Sequence, residues 1–321
     1  MALPDRLPAV ADEDASRAVV GDEAVLRPGV DALARTLGLR PERLRRLPNG
    51  SLPVYADDRL VLKLFPPPDA GGARVEAAAL RAVTGRLPVP SPAVHADGTH
   101  DDWRYVLMDR LPGQDLSTVW ADLARRDRRR LAGQAGALCR ALHQVDPPAV
   151  EDWWPQDWGA FVDDQRATAR ERHGRWGLPR PWLEQVDGFL DRTPLPPGPR
   201  VLLHTEVMPA NLLAAPDADG RWSLSGVCDF EPAMRGHAEY DLVAVAVFMA
   251  GGDPTVLREA LTAYGCEAAG LDEDLSRRLL AWTLLHRFGN VAAFFAFLPP
   301  PPTPTWSALA RAWFGVTFGD R

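Results

Sequence analysis

The sequence predicts an α+β fold in two lobes, a small β-rich N-terminal lobe over residues 1–111 and a larger, mainly helical C-terminal lobe over residues 112–321. Three observations predict it. At 321 residues the chain exceeds what one hydrophobic core usually serves, and its 46% hydrophobic content can fill two. Up to about residue 111 the apolar residues come in short runs cut by Pro, Gly and Asp turns, which is strand patterning. From Leu116 onward the pattern is mainly helical.

Taken in order, residues 1 to about 25 are polar and mixed, and Val30 to Leu37 has helical periodicity that stops at the turn-like Gly38-Leu39-Arg40-Pro41. Leu47-Pro48-Asn49-Gly50-Ser51 is a turn signal. Leu52 to Tyr55 and Arg59 to Phe65, separated by Asp57-Asp58, read as a hairpin or meander. After Gly71-Gly72, Ala73 to Val83 is an Ala-rich helix with one acid in its first turns, Glu76. Val89 to Val94 is broken by Pro90 and Pro92 and reads as an edge segment at best, and Tyr105 to Leu111 as the strand that closes the lobe. Helices are expected over 131–145, 159–172, 181–191, 238–249, 254–264 and 271–297. Two short strands, 200–203 and 222–228, interrupt them, and Pro299 to Pro304 is a surface connection.

Composition excludes several function classes. A net charge of -7 argues against a nucleic-acid partner and favours a cationic one. Cys139, Cys228 and Cys266 have neither disulfide nor metal spacing, which fits a reducing cytoplasm. The N-terminal Met1-Ala2-Leu3-Pro4 lacks the apolar run of a signal peptide, and the most apolar stretch, 279–298, is interrupted by His286, Arg287 and Asn290, so no membrane span is expected.

Of the 36 Lys and Arg residues, Lys63 is the one lysine. In an Arg-rich, Pro-rich chain a retained lysine marks a place where a compact ammonium is needed and a planar guanidinium will not serve, as beside a phosphate oxygen. The ordinary alternative is an edge-strand lysine. Two further stretches deliver polar groups from apolar strands. In Val201-Leu202-Leu203-His204-Thr205-Glu206, with Asn211 five residues after the acid, a strand enters a polar loop; Leu224 to Cys228 ends in Asp229-Phe230-Glu231.

Lys63, Glu76, Glu206, Asn211 and Asp229 together match the needs of phosphoryl transfer. Lys63 would bind the α and β phosphates, with Glu76 as its ion-pair partner. Asn211 and Asp229 supply the hard oxygen ligands that suit Mg²⁺. Glu206 would accept the proton of an acceptor hydroxyl, and His204 would brace the loop. Taken singly, Glu76 reads as a solvated helix acid, Asp229 as a strand-end turn former and Asn211 as a helix cap.

The order of these motifs resembles the aminoglycoside phosphotransferase family, and nearly the whole chain takes part in the resemblance. The family loop reads His-Gly-Asp, four residues, then Asn; here it is His204-Thr205-Glu206 with Asn211 in register. Asp229-Phe230-Glu231 resembles the metal motif and Tyr105 to Gly113 the hinge. The resemblance implies a reduced protein-kinase-like fold, an adenine pocket lined by Met108, and purine contacts from the Asp109 carbonyl and the Leu111 amide. It also makes Asp241, in Glu239-Tyr240-Asp241-Leu242, a structural acid that ties the loop down. The segments 163–166, 176–178 and 279–286 are most similar to hygromycin phosphotransferases of actinomycetes.

Two departures stand out. Glu206 is one methylene longer than the family's Asp, which moves the carboxylate by roughly 1 Å. The turn at Gly50 has one glycine where a phosphate-cradling loop has several, with Ser51 as the candidate phosphate contact. Glu206, Glu231, Asp163, Asp164 and His286 are the candidate substrate contacts, against ordinary readings as wet helix acids and an interior histidine; Trp153, Trp154 and Trp158 are expected to be core. The expectation is a cytoplasmic, monomeric small-molecule kinase using ATP, with GTP open, and Mg²⁺. Its acceptor would be a hydroxyl on a cationic, aminoglycoside-like compound of hygromycin type. The alternatives are a nucleotide-binding protein without transfer and a kinase of another small hydroxyl compound.

Overall fold

The computed structural model describes residues 5–48 and 50–316. Asn49 of the expected turn and the opening Met1 to Pro4 lie outside the described residues.

Two helices come first, α1 (Glu13–Val19) and α2 (Glu23–Thr36), capped by the side chains of Asp12 and Asp22. The polar look of residues 1 to 25 hid α1, because its exposed side chains outnumber its buried ones. Then come β1 (Arg45–Arg46), β2 (Val54–Ala56), β3 (Leu60–Phe65), helix α3 (Ala70–Val83), β4 (Val94–His100) and β5 (Trp103–Asp109). The strands form one antiparallel sheet in the order β1-β2-β3-β5-β4. The expected edge segment 89–94 is a correction: Pro90 and Pro92 cannot donate to a ladder, so the strand begins only at Val94 and runs to His100.

Alternation along β3 assigns its faces. Leu62 and Leu64 enter a core with Leu26, Leu33 and Trp103 under α2, whereas Phe65, Val106 and Met108 belong to the larger core that includes α3 and the helical part of the chain. Lys63, between the two leucines, therefore projects to the opposite face from them, the face that α3 covers.

The rest of the chain contains β6 (Gln114–Asp115), α4 (Arg125–Leu142), α5 (Trp158–Arg175), α6 (Arg180–Leu183), α7 (Val186–Asp191), β7 (Val201–Leu203), β8 (Leu212–Pro216), β9 (Trp222–Val227) and β10 (Met234–Gly236). After these come α8 (Ala238–Ala244), a wide helical turn (Val245–Ala250), α9 (Pro254–Tyr264), α10 (Glu273–Leu285), α11 (Val291–Phe294) and α12 (Trp306–Phe314). This is the mixed α+β, protein-kinase-like architecture that the sequence predicts. Two expected strands in this region become five, in a β6-β8-β9 sheet and a β7-β10 pair. β8 escaped notice because its apolar residues directly follow the polar loop, with no turn between.

The expected helix 271–297 is broken. At Gly289 a Cβ would lie 1.9 Å from the Thr283 carbonyl oxygen, so the chain folds back tightly on the end of α10, as only glycine permits. The fold-back sets Arg287 against α8 and the loop after β9: its amide donates to Tyr240 Oη at 2.9 Å and its Nη2 to the Pro232 carbonyl at 2.9 Å.

Candidate active site

A cavity of about 810 Å³ lies between the first sheet and the β6-β8-β9 sheet. Lys63 and Glu76 reach it from β3 and α3; Glu206, Asn211, Asp229 and Glu231 reach it from the ends of β7, β8 and β9. The β8–β9 pairing explains part of this. Leu212 faces Val227 in register, and the Cys228 amide donates to the Asn211 carbonyl at 3.0 Å, so Asn211 and Asp229 emerge at the same end of one hairpin.

Lys63 Nζ lies 3.0 Å from Glu76 Oε2 and 2.5 Å from Asp229 Oδ1. Glu76 is fully buried, and its Oε1 accepts the Phe230 amide at 3.2 Å, so one carboxylate holds both the lysine and the turn that carries Asp229. Burial works against the Lys63 charge, but Glu76, Asp229 and Glu231 together outweigh it and hold the ammonium above the ordinary lysine range. Burial also lifts the Glu76 carboxyl, which Lys63 pulls back; the close contact with so firmly charged an ammonium decides for the ion pair. At Asp229 the neighbouring lysine prevails over burial and lowers the pKa.

The loop after β7 is braced from below. His204 is buried, its Nε2 bonds the Cys228 carbonyl at 2.9 Å, and its Nδ1 accepts the Glu206 amide at 3.3 Å. Nε2 therefore carries the proton, and burial holds His204 below the usual histidine range. The Asn211 amide nitrogen donates to the Glu206 carbonyl at 3.1 Å, which leaves the Asn211 side-chain oxygen free of that bond. The Glu206 carboxyl is half-buried, and burial followed by the Asp229 charge pushes it up to about 7.

Thr205 and Asp229 both have left-handed backbone, at φ 73° and 68°. Each turn re-aims the next or the same side chain at the cavity, and each costs about 1–2 kcal/mol in a residue other than glycine.

The remaining candidates divide. Ser51, Met108 and Leu111 line the cavity. The Asp109 side chain is turned to β4, with His95 Nε2 at 2.6 Å. Asp163 and Asp164 lie on the exposed face of α5, because Trp158, Phe161 and Gln165 take its buried face, and neither lines the cavity. His286, by contrast, is interior: its ring stacks on Tyr240 at 4.3 Å, and burial pushes its pKa down to about 3. Of the tryptophans expected in the core, Trp153 and Trp158 are buried, but Trp154 is 52% exposed.

Sequence reasoning missed Asp115, Ser117, Met208 and Leu213, which also line the cavity. The Asp115 carboxylate accepts the Ser117 amide at 2.9 Å, a capping pattern legible from an Asp two residues before a Ser. It missed Arg287 as well, whose place depends on the fold-back at Gly289.

Asp229 with the Asn211 side-chain oxygen is a hard-oxygen donor pair. Among the described residues no group of three or more His, Cys, Asp or Glu side chains is gathered as a metal cage. A sparse set of this kind fits Mg²⁺, which keeps waters and relies on few protein ligands plus phosphate oxygens.

A family model described as the phosphotransferase enzyme family matches residues 43–280. No curated protein matches the chain by sequence. Among solved structures, a thermostable mutant of aminoglycoside phosphotransferase APH(4)-Ia in ternary complex with AMP-PNP and hygromycin B is 18% identical, with a TM-score of 0.58 over 88% of this chain and 98% of that one. The ADP-bound aminoglycoside phosphotransferase APH(2'')-Ib is 17% identical, with a TM-score of 0.57 over 89% and 98%. Aminoglycoside phosphotransferase APH(3'')-Id from Streptomyces rimosus is 18% identical, with a TM-score of 0.55 over 80% and 97%. At these identities the likeness is one of fold. No helix of the described residues is long and apolar enough to cross a membrane.

Proposed function

Because the chain belongs to the phosphotransferase enzyme family, we propose that it is a cytoplasmic small-molecule kinase that moves the γ-phosphoryl group of ATP to a hydroxyl of an aminoglycoside-like acceptor, with a hygromycin-type compound first among those to try. The proposal divides the chain into a nucleotide lobe, 1–111, and a catalytic and acceptor lobe, 112–321. The observation that carries it is the meeting of Lys63 with Glu76 at 3.0 Å and Asp229 at 2.5 Å over a cavity that also holds Glu206 and Asn211.

In this reading Met108 and Leu111 line the adenine end and Ser51 lies along the phosphates. Lys63, held by Glu76, neutralises the α and β phosphates. Asn211 and Asp229 would hold Mg²⁺, which supplies charge neutralisation along the polyphosphate when bound. Glu206 orients the acceptor hydroxyl and takes its proton as the new O–P bond forms and the bond to the leaving ADP oxygen breaks. Glu206 and Glu231 give the acceptor mouth the negative charge that suits amines. The finer acceptor assignment is supported by the acid-lined mouth and by neighbours whose structures contain hygromycin B.

One observation favours a second reading, a nucleotide binder without transfer: Thr205-Glu206 stands where the family has Gly-Asp. A single experiment separates the two. Purified protein with Mg·ATP is offered hygromycin B, gentamicin and streptomycin, and each is monitored for the mass gain of one phosphoryl group. Gain that disappears in Glu206→Gln supports the kinase; tight nucleotide binding with no gain on any acceptor supports the binder.

A further inference from the structure

The geometry points to a second recognition element at the acceptor mouth, made by Trp154, Arg287 and Phe288, which takes an uncharged, hydroxyl-bearing sugar ring rather than an ammonium group. It rests on the kinase reading above and refines which part of the acceptor goes where.

Contacts on two sides place the element beside the cavity. The first turn of α3 is thin: a Cβ on Gly72 would lie 2.8 Å from Glu231 Cγ, and one on Gly71 would lie 3.7 Å from Asp152 Cβ. Arg74 on the same helix grips both Asp152 oxygens, so the chain two residues before Trp154 is fixed next to Glu231. From the other side, Arg287 Nη2 donates at 2.9 Å to the Pro232 carbonyl, which also accepts Thr205 Oγ1 at 3.2 Å. Arg287 therefore stands between the turn that carries Glu206 and the turn that carries Glu231, and its charge acts on both carboxyls.

Its guanidinium lies 5.3 Å from the Trp154 ring and 4.5 Å from the Phe288 ring. Those rings are 52% and 50% exposed, while the neighbouring Trp153, Trp158, Phe161, Tyr240 and Trp282 are all buried. Large aromatic surface left in water at the edge of a cavity marks a place where something else covers it.

The chemistry of the trio selects what that is. A bare aromatic face attracts cations. Here a guanidinium pinned to a backbone carbonyl already occupies that role, and it repels a second cation at such range. What remains on offer is apolar ring surface for the C–H face of a sugar and N–H donors for hydroxyl and ether oxygens. The acceptor is thereby divided: amines toward Glu206 and Glu231, a neutral ring face on Trp154 and Phe288.

The test is calorimetric titration of the full chain with Mg·AMP-PNP bound, using hygromycin B and gentamicin and the N-acetylated form of each. Trp154→Ala and Phe288→Ala are each expected to weaken binding of at least one of the two pairs about tenfold. The same factor should apply to the free-amine and N-acetylated forms, ATP affinity should stay at the wild-type value, and the melting temperature should move by a few degrees at most because both side chains are only half buried. A penalty confined to the free-amine forms, or truncations that leave binding of every compound unchanged, would each overturn the platform while leaving the kinase reading intact. Failure of the wild type to bind any of the four overturns both.

Discussion

Asp241 holds Thr205 in place: its fully buried carboxylate accepts the Thr205 amide through Oδ1, while Oδ2 takes the His204 amide at 3.2 Å and His143 Nε2 at 3.0 Å. Burial raises the Asp241 carboxyl, but the bonds it accepts from His143 and from the His204 amide outweigh it and keep it below the usual range, so the group is a carboxylate. His143 Nε2 is then a donor, and its Nδ1 lies 3.0 Å from Tyr264 Oη. Asp241→Asn keeps the shape but turns an NH₂ toward one of three donors. Breaking a buried arrangement of this kind costs on the order of 3 kcal/mol. Denaturant melts should show that loss, with phosphoryl transfer falling alongside as the Glu206 turn loosens; a variant as stable as the wild type would refute the role.

Thr205→Gly tests the strain in the same turn. Glycine relieves about 1–2 kcal/mol of left-handed cost, but it gives up the bond to Pro232, worth about 1 kcal/mol, and a buried side chain, and it adds freedom to the unfolded chain. These terms nearly cancel. The expected result is a stability within about 1 kcal/mol of wild type, despite deletion of a completely buried side chain. A loss above about 3 kcal/mol in urea unfolding would mean that the turn is not strained.

How far the site was legible follows from how locally each part is encoded. Lys63 could be read because it stands out in composition, and Glu76 because an apolar strand and an Ala-rich helix bracket it. The placement of Asn211 and Asp229 needed only the two ends of one hairpin. Left-handed backbone at Thr205 was not legible, since a threonine gives no local sign of it and the cause is Asp241, far along the chain. Arg287 was missed, and Trp154 was expected in the core, for the same reason: each is placed by contacts with distant segments, Arg287 by Pro232 and Trp154 by the grip of Arg74 on Asp152 two residues earlier. The long helix over 271–297 was overread because its apolar pattern continues through a break that one glycine contact decides.

Lys63→Arg asks whether the ammonium's shape matters. The Nζ atom fits between two carboxylates with the Phe65 ring 5.2 Å away, a space that does not suit a planar fork. The charge and the ion pairs should survive in part, so the melting temperature should move by a few degrees at most. Nucleotide-dependent transfer should fall on the order of 10²-fold from misplacement alone. Initial rates equal to wild type at saturating Mg·ATP would show that any cation serves.

Acid sensitivity is the last expectation, and it comes from histidines away from the phosphate chemistry. Burial pushes His173 down to about 4 and His286 to about 3, against an ordinary histidine value of about 6.5. His173 Nε2 donates to the Leu284 carbonyl at 3.0 Å, and its buried Nδ1 has no hydrogen-bond partner, so a second proton would be stranded there. Both groups are depressed histidines, so below pH 6.5 the unfolded chain binds protons that the folded chain refuses. Their contribution to stability is complete above pH 6.5 and is lost as pH falls toward 4 and then 3. At one pH unit per 1.36 kcal/mol, the loss by pH 5 is about 2 kcal/mol for each histidine. Urea unfolding at pH 7 and pH 5 should show that drop, and His173→Gln, which can still donate to Leu284, should shrink it by about 2 kcal/mol. An identical pH 7 to pH 5 difference in wild type and variant would place the acid sensitivity elsewhere.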